Sequence, residues 1–586
     1  MPSDMWNRAM HDAETGRLQE AIANVRMRQR MKPKDPETTE LLGLLLQRAG
    51  DTEQSLHYLR RGVELLPGEP IHHHNLASAL LSAGRVQEAI RIWQTTLAMA
   101  PNLGLAWMGL VNGYLAAEDS TKAIEAGERG LALEPEWADL VGNYAVALER
   151  AGRTDDAIRT LERHLQRHPG DTGLRSNLLL LMTYANPDTA AVAAAHRAFG
   201  ATLPPSSSTR EPARLAAPNA AQPLRIGILS SDLRSHSVGY FVEAFMRHAP
   251  QGVELVAFST AVPAADDRMM QRLRSLAGRW HDVAALNDDA LDALIRSERI
   301  DVLLELNGHT AGGRLEVLAR KPAPVIVSAI GYLNTTGLAT VDWRLVDAIT
   351  DPPGSEHLCT ERLLRLDPCH LCYTPPTDAP EPASPAADAP LTFGSFNSMV
   401  KLGDDSVARW ARVLTAIPDA RMLIKAQGLG DAGAGATLAK RFERAGVDPA
   451  RLEMIAYSKT RDEHLRLYNR VHVALDTTPC NGVTTTCEAL WMGVPVVAAL
   501  GDRHTDRLAA SLLRAAGHPE LVALDADGFV RIAVDLARDR ARLTTLRHTL
   551  RSDLAASSLL DAPGYAARFH AALRDCWNQS RGAMNA

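Results

Sequence analysis

The sequence predicts an α-helical repeat solenoid followed by two doubly wound α/β domains, on three observations. Proline recurs every 34 residues, at Pro33, Pro67, Pro101, Pro135 and Pro169. From Leu224 onward short β-rich runs alternate with amphipathic stretches of helical period, and the alternation restarts after a Pro- and Ala-rich break. At roughly 100–200 residues per domain, 586 residues of which 46% are hydrophobic fill three or four units with cores of their own.

The repeats take residues 1–186. Gly16, Gly50, Gly84 and Gly152 keep the 34-residue spacing with Glu118 in the missing slot, and Ala21, Ser55, Ala89, Ala123 and Ala157 follow in phase. Each glycine ends a first helix where a positive φ is wanted, each small residue lets the second helix pack closely, and each proline stops that second helix. The pattern gives about five tetratricopeptide repeats, whose stack offers a concave face to an extended peptide. Residues 187–222 hold a linking helix from Thr189 to Gly200 and a Pro-, Ser- and Ala-rich linker. In 223–375, LRIGIL, VELVAFS and DVLLELNG read as strands separated by helices. After a Pro-rich linker at 376–390, LTFGSFN, ARMLIKAQ, RLEMIAYS, VHVALDT and VPVVAAL repeat the pattern in 391–586, with helices from about Asp527 to the end closing that domain. Such alternation predicts parallel sheets, and ligands bind where the carboxyl ends of their strands face a cleft.

At those strand ends, VALD runs into TTPCNGV and a helix beginning Thr484-Thr485-Thr486. Free amides, hydroxyls and the positive end of the helix dipole suit a pyrophosphate there, and Asn481-Gly482 lets the backbone come close. Glu488, one turn in, is placed to accept from ribose hydroxyls. Lys401 follows the strand TFGSFNSM and can set a positive charge on the same phosphates. His236, in the loop after the first strand, titrates near neutrality and suits proton transfer. The loop NGHTAGGR brings His309 and Thr310 within reach of a sugar or phosphate. Each feature also has an ordinary reading: an N-cap, a solvated lysine, a capping neighbour, a glycine turn.

Other strings carry less. Cys369-His370-Leu371-Cys372 has zinc-like spacing but no second pair, His72-His73-His74 points three ways around a helix, and Asp525-Ala526-Asp527 lies away from the anion site. A net charge of −6 with 5% aromatics leaves no footprint for nucleic acid or an anionic membrane. No window reaches the ~18 apolar residues of a membrane span, the N-terminus lacks a secretory signal, and six cysteines are too few for a disulfide framework. A cytoplasmic protein with reduced thiols is expected.

Together the repeats, SSDLRSHS, NGHTAGG, FNSMVK, RDEH and DTTPCNGVTTTCEALWMGVP resemble the protein O-linked N-acetylglucosamine transferases of glycosyltransferase family 41, in particular a short bacterial relative. The resemblance implies two lobes of the GT-B type, UDP-GlcNAc as donor substrate, inversion at the anomeric carbon, no metal or cofactor, and a protein acceptor delivered by the repeats. It implies that Lys401, Thr484 and Thr485 bind the diphosphate, Glu488 the ribose, and Arg461 and His464 the uridine, with His236 as a proposed general base. Animal members carry histidine in place of Val483, glutamine in place of Ser398, and an asparagine ladder that survives here as Asn75, Asn143 and Asn177, with Gly109 in one slot. The sequence leaves open a protein O-fucosyltransferase with a GDP-sugar, an asparagine glucosyltransferase, and an interaction scaffold with inactive lobes.

Overall fold

The computed structural model describes residues 4–585 except 15, 187, 204–222, 263–265, 387, 457 and 459; most of the expected linker 187–222 lies outside the described residues. The chain divides into two compact units, one of residues 1–164 with 428–435, the other of 165–427 with 436–586.

The first unit is built of helix pairs: α1 (Asp4–Glu14) and α2 (Leu18–Met31), α3 (Pro36–Arg48) and α4 (Thr52–Leu65), α5 (Pro70–Ser82) and α6 (Val86–Met99), α7 (Gly104–Ala116) and α8 (Ser120–Leu133), α9 (Ala138–Arg150) and α10 (Thr154–Arg167), α10 running to the border of the unit. Gly16, Gly50, Gly84 and Gly152 all take a positive φ, and Glu118 does so too, at 58°. The slot therefore dictates the backbone, and glycine merely fills it without strain. Each spaced proline stands two residues past the end of a second helix. Ala21, Ser55, Ala89, Ala123 and Ala157 are buried to 1% exposure or less, where helix axes approach most closely. The three consecutive histidines diverge as their helical spacing requires: His72 pairs with Glu40, His73 bonds the Pro67 carbonyl, and His74 accepts from the Trp93 indole. In the ladder phase Asn75 donates to Glu40 at 2.6 Å and Gly109 lies against Trp93. Asn143 is half-buried on α9.

The second unit opens with α11 (Thr172–Ala185) and α12 (Thr189–Thr202). This sixth pair groups with the α/β lobes although the repeat pattern runs to 186, because Thr183 bonds the Tyr332 hydroxyl and Ser176 bonds His309. The first sheet comprises β1 (Leu224–Ser230), β2 (Val253–Ser259), β3 (Arg279–Asp282), β4 (Val302–Glu305), β5 (Val325–Ser328), β6 (Trp343–Val346) and β7 (Arg362–Arg365), in the order β3-β2-β1-β4-β5-β6-β7. The second comprises β8 (Thr392–Ser395), β9 (Arg421–Lys425), β10 (Leu452–Ile455), β11 (Val473–Leu475), β12 (Val496–Ala499) and β13 (Val522–Ala523), in the order β10-β9-β8-β11-β12-β13. All pairings are parallel, and the inner strands are continuous buried apolar runs, as helices on both faces demand. The expectation that the last helices close the second domain is corrected at the end of the chain. Helix Ala562–Asn585 packs on the first sheet's core, where Phe569 stacks on Phe245 at 4.5 Å between centroids and the Tyr565 hydroxyl donates to the His370 carbonyl. One stacked aromatic pair and a buried hydrogen bond outweigh sequence proximity to the second sheet.

Strand order reverses between β1 and β4 in one sheet and between β8 and β11 in the other. These are the switch points at which connecting loops diverge and leave a crevice. The loops after those four strands carry His236, Thr310, Lys401 and Thr484 respectively.

Candidate active site

The second sheet supplies an anion cradle. Lys401 ends a short 3-10 turn after β8 (Met399–Lys401) and donates from Nζ to the Asn481 carbonyl at 2.7 Å, which fixes the ammonium over the loop after β11. Helix Thr484–Trp491 starts on Val483, which provides no side-chain cap. Elsewhere in the same lobe Thr460, Asp525 and Asp539 cap their helices by accepting from backbone amides. An uncapped first turn facing Lys401 leaves its amides to an anionic ligand. Thr484 and Thr485 are half-buried at this start, and Ser398 is exposed beside it.

Asn481 and Gly482 act differently from the expectation that they open the backbone to a ligand. Asn481 is buried, its amide donating to the Thr477 carbonyl and its Oδ1 accepting from Ala509 N–H, so it braces the loop and offers only its carbonyl to Lys401. A Cβ on Gly482 would lie 2.2 Å from Thr485 Oγ1 and 2.9 Å from Asn397 Oδ1, so glycine is required by the protein's own side chains.

A second cluster stands further along the helix. Lys425 Nζ donates to His464 Nδ1 at 2.7 Å, which leaves His464 Nε2 to carry the proton and donate to Glu488 Oε2 at 2.9 Å. Arg461 donates to Glu488 Oε1 at 3.2 Å and to the Tyr373 hydroxyl, and its guanidinium lies 3.6 Å from the Tyr240 ring centroid. Burial pushes the Glu488 pKa up, but the hydrogen bond from His464 and the charges of Arg461 and Lys425 outweigh it and hold the carboxyl below its usual range. Glu488 is thus the ionised anchor of Arg461 and His464. This corrects the expectation of an acid open to ribose: both oxygens are occupied and the residue is 6% exposed.

From the first sheet comes His236. Its Nδ1 lies 3.5 Å from Asp232 Oδ1, while Asp232 Oδ2 accepts from Asn307. Burial lowers the His236 pKa, against the pull of Asp232, so the ring is a neutral proton acceptor at neutral pH. His309 is corrected outright. It is 3% exposed, its Nε2 donates to the Thr336 carbonyl and its Nδ1 accepts from Ser176, and burial holds its pKa down to about 3. It is a packing histidine among His196, Phe199 and Tyr332. Thr310 closes its own turn by donating to the Asn307 carbonyl. Asn177 is exposed on α11.

The residues that sequence reasoning missed are Asp232, Asn397, Lys425, Tyr240, Tyr373 and Asp476. Only Asp232 left a signal, four residues before His236. The pair Cys369 and His370 lies with Asp347, three ligand atoms within 4.8 Å of one another. His370 Nδ1 bonds Asp347 at 2.6 Å, and burial pushes the Cys369 thiol up to about 12, a hydrogen-bonded core rather than a thiolate site.

A profile described as "Glycosyl transferase family 41" matches residues 208–371 and 385–569, and a tetratricopeptide-repeat profile matches 3–169. The chain belongs to glycosyl transferase family 41. A solved family structure, a mutant of the Thermobaculum terrenum O-GlcNAc transferase, superposes with a TM-score of 0.82 at 33% identity, covering 88% of this chain and 98% of that one. The fold is therefore the family's repeat solenoid followed by a GT-B pair. The probable UDP-N-acetylglucosamine–peptide N-acetylglucosaminyltransferase SPINDLY of Arabidopsis thaliana is 37% identical over 363 residues, 61% of this chain and 40% of that protein. The corresponding Caenorhabditis elegans enzyme is 22% identical over 483 residues, 62% of this chain and 41% of its own length. The chain spans about two fifths of the length of these curated family relatives.

Proposed function

We propose that the protein transfers N-acetylglucosamine from UDP-GlcNAc to serine and threonine hydroxyls of protein acceptors, with inversion and without a metal or other cofactor. The observation that carries this reading is Lys401 locked over an uncapped, threonine-rich helix start at a switch point, beside the Arg461–His464–Glu488 cluster. Breaking the sugar–phosphate bond develops negative charge on the leaving diphosphate. Lys401, the first-turn amides and Thr484 meet that charge with donors already in place, each typically worth ~10²–10³ in rate, and Thr485 joins them from its bond to Asn397. Arg461, oriented by Glu488, holds the uridine through N–H groups that have no protein partner among the described residues, and His464, with both ring nitrogens engaged, offers it the ring face. His236, steadied by Asp232, takes the acceptor proton. The repeats present the acceptor, Asn143 and Asn177 bonding its main chain, and the free state of all six cysteines accords with a cytoplasmic setting. Among the described residues no helix is long and apolar enough to cross a membrane.

The test is a thermal-shift and turnover panel of UDP-GlcNAc, UDP-glucose and GDP-fucose, run in excess chelator with an acceptor protein followed by mass spectrometry. At a hundredfold excess over Kd the true donor stabilises by about 2.7 kcal/mol. Stabilisation by a GDP-sugar alone, or activity abolished by the chelator and restored by manganese, refutes the donor or the metal-free reading respectively.

A further inference from the structure

Asp476, directly after β11, is a buried carboxyl that the transfer chemistry above leaves unused. It lines a small cavity of about 20 Å³ with Ser395, Asn397, Thr485 and Thr486. Its Oδ1 accepts the Gly482 N–H at 2.8 Å, and its Oδ2 is buried with no hydrogen-bond partner among the described residues. The Asn397 amide beside it is turned so that Oδ1 accepts the Thr485 hydroxyl at 3.2 Å while Nδ2 reaches Ser395 Oγ at 3.3 Å. In that orientation no hydrogen bond to Oδ2 is completed among the described residues, although the Asn397 amide lies close enough to favour the ionised form. A buried carboxylate needs donors on both oxygens, whereas the neutral acid brings its own and needs only an acceptor, and the neighbouring side-chain amide is that of Asn397.

The groups facing Asp476 from each neighbouring element are few. Lys401 comes from the segment after β8, with its Nζ already engaged by Asn481; Cys480 comes from the loop below, its thiol raised by burial; Trp410 of helix Asp404–Ala416 donates only to the Asp476 main-chain carbonyl. Burial outweighs the Gly482 and Thr477 amides, the charge of Lys401 and the Asn397 side chain, and pushes the Asp476 carboxyl up to about 7. A bound diphosphate brings negative charge next to it and draws the Thr485 hydroxyl away from Asn397.

We propose, resting on the donor reading above, that binding a nucleoside diphosphate sugar loads a solvent proton onto Asp476 Oδ2, which then donates to Asn397 Oδ1 and releases the Thr485 hydroxyl to the phosphate. Asp476 is a positioning residue, and donor binding and its protonation are one coupled event. UDP-GlcNAc is the right probe because its diphosphate diester stays fully ionised through neutral and alkaline pH and supplies no proton itself. Calorimetry at pH 8 in buffers of different ionisation enthalpy should show uptake of about one proton, with affinity falling roughly tenfold per pH unit above neutrality until the bound acid ionises. In Asp476→Asn, whose amide donates as the neutral acid does, proton uptake and that pH dependence should vanish. An infrared difference band of a protonated carboxyl on donor binding tests the wild-type protein without a variant. Binding with no proton uptake and no such band, or undiminished uptake in Asp476→Asn, overturns the inference alone; no UDP-GlcNAc binding at any pH overturns the donor reading and the inference with it.

Discussion

Replacing Lys401 with alanine tests the charge at the centre of the proposed chemistry. Lys401 spends one of its three N–H donors on the Asn481 carbonyl at 2.7 Å, so at most two remain for a phosphate. A hydrogen bond to a charged group is worth about 1.5–3 kcal/mol net, which at 1.4 kcal/mol per factor of ten weakens UDP binding roughly 10- to 150-fold in Lys401→Ala. The loss at the transition state is larger, of order 10²–10³ in rate, because charge on the leaving diphosphate is fully developed only there. The Asn481 carbonyl also loses its donor, so the loop after β11 loosens. The assay pairs calorimetric titration of UDP with single-turnover transfer at saturating donor, and denaturant midpoints confirm that the variant remains folded. Unchanged UDP affinity together with unchanged turnover refutes the assignment. Weaker binding with an unaltered single-turnover rate would leave Lys401 as a binding group only.

His236→Ala should depress the single-turnover rate by a factor of order 10²–10⁴ with donor affinity intact, since the proton moves only on the way to the transition state; a near-normal rate transfers the proton to the departing phosphate or to water. Replacing Asn143 and Asn177 together with alanine should raise the KM for a protein acceptor while leaving UDP affinity and donor hydrolysis unchanged, and steady-state kinetics with protein and short-peptide acceptors checks it. Burial holds His309 near 3 and His196 near 4, below their unfolded value of about 6.5, so stability is present above pH 6.5 and lost as pH falls toward the folded values, by up to about 5 kcal/mol for His309 and about 3 kcal/mol for His196. Denaturant midpoints measured from pH 7 to 4 should fall more steeply for wild type than for His309→Phe, and equal slopes would contradict this account.

The helical repeats were legible because a solenoid repeats its steric demands: the same turn recurs every 34 residues, and its backbone asks for glycine at each return. Glu118 shows the limit, since that slot takes its positive φ with a residue that gives no sign of it. The strands β1, β2, β4 and β8–β12 were readable as apolar runs separated by helices. By contrast β5 and β6 were not, because the residues from 329 to 342 between them form no helix and the alternation on which the reading depends is absent. The final helix misled for the opposite reason. Its amphipathic pattern was plain, but nothing in a one-dimensional pattern says which of two similar sheets its aromatic face will cover, and that choice is made by Phe245 and His370 more than 190 residues away.

Legibility of the site follows the same division between local and distant causes. Lys401, Thr484 and His236 stand out because each belongs to a loop that ends a strand, and strand ends at a switch point are where a crevice must open. Their partners do not stand out. Lys425 terminates β9, where a basic residue looks like any solvated strand end, yet folding buries it to 6% exposure against His464 and thereby sets which ring nitrogen carries the proton. Glu488 and His309 were assigned to the ligand because acid and imidazole side chains are chemically apt for it, but burial commits both to protein partners first. In Glu488 that commitment still serves the site, since the carboxylate aims Arg461 and His464; in His309 it serves only the core. The distinction rests on which neighbours the fold supplies: basic groups converging on Glu488 from β9 and from helix Arg461–Leu467, against a serine, a carbonyl and aromatic rings around His309.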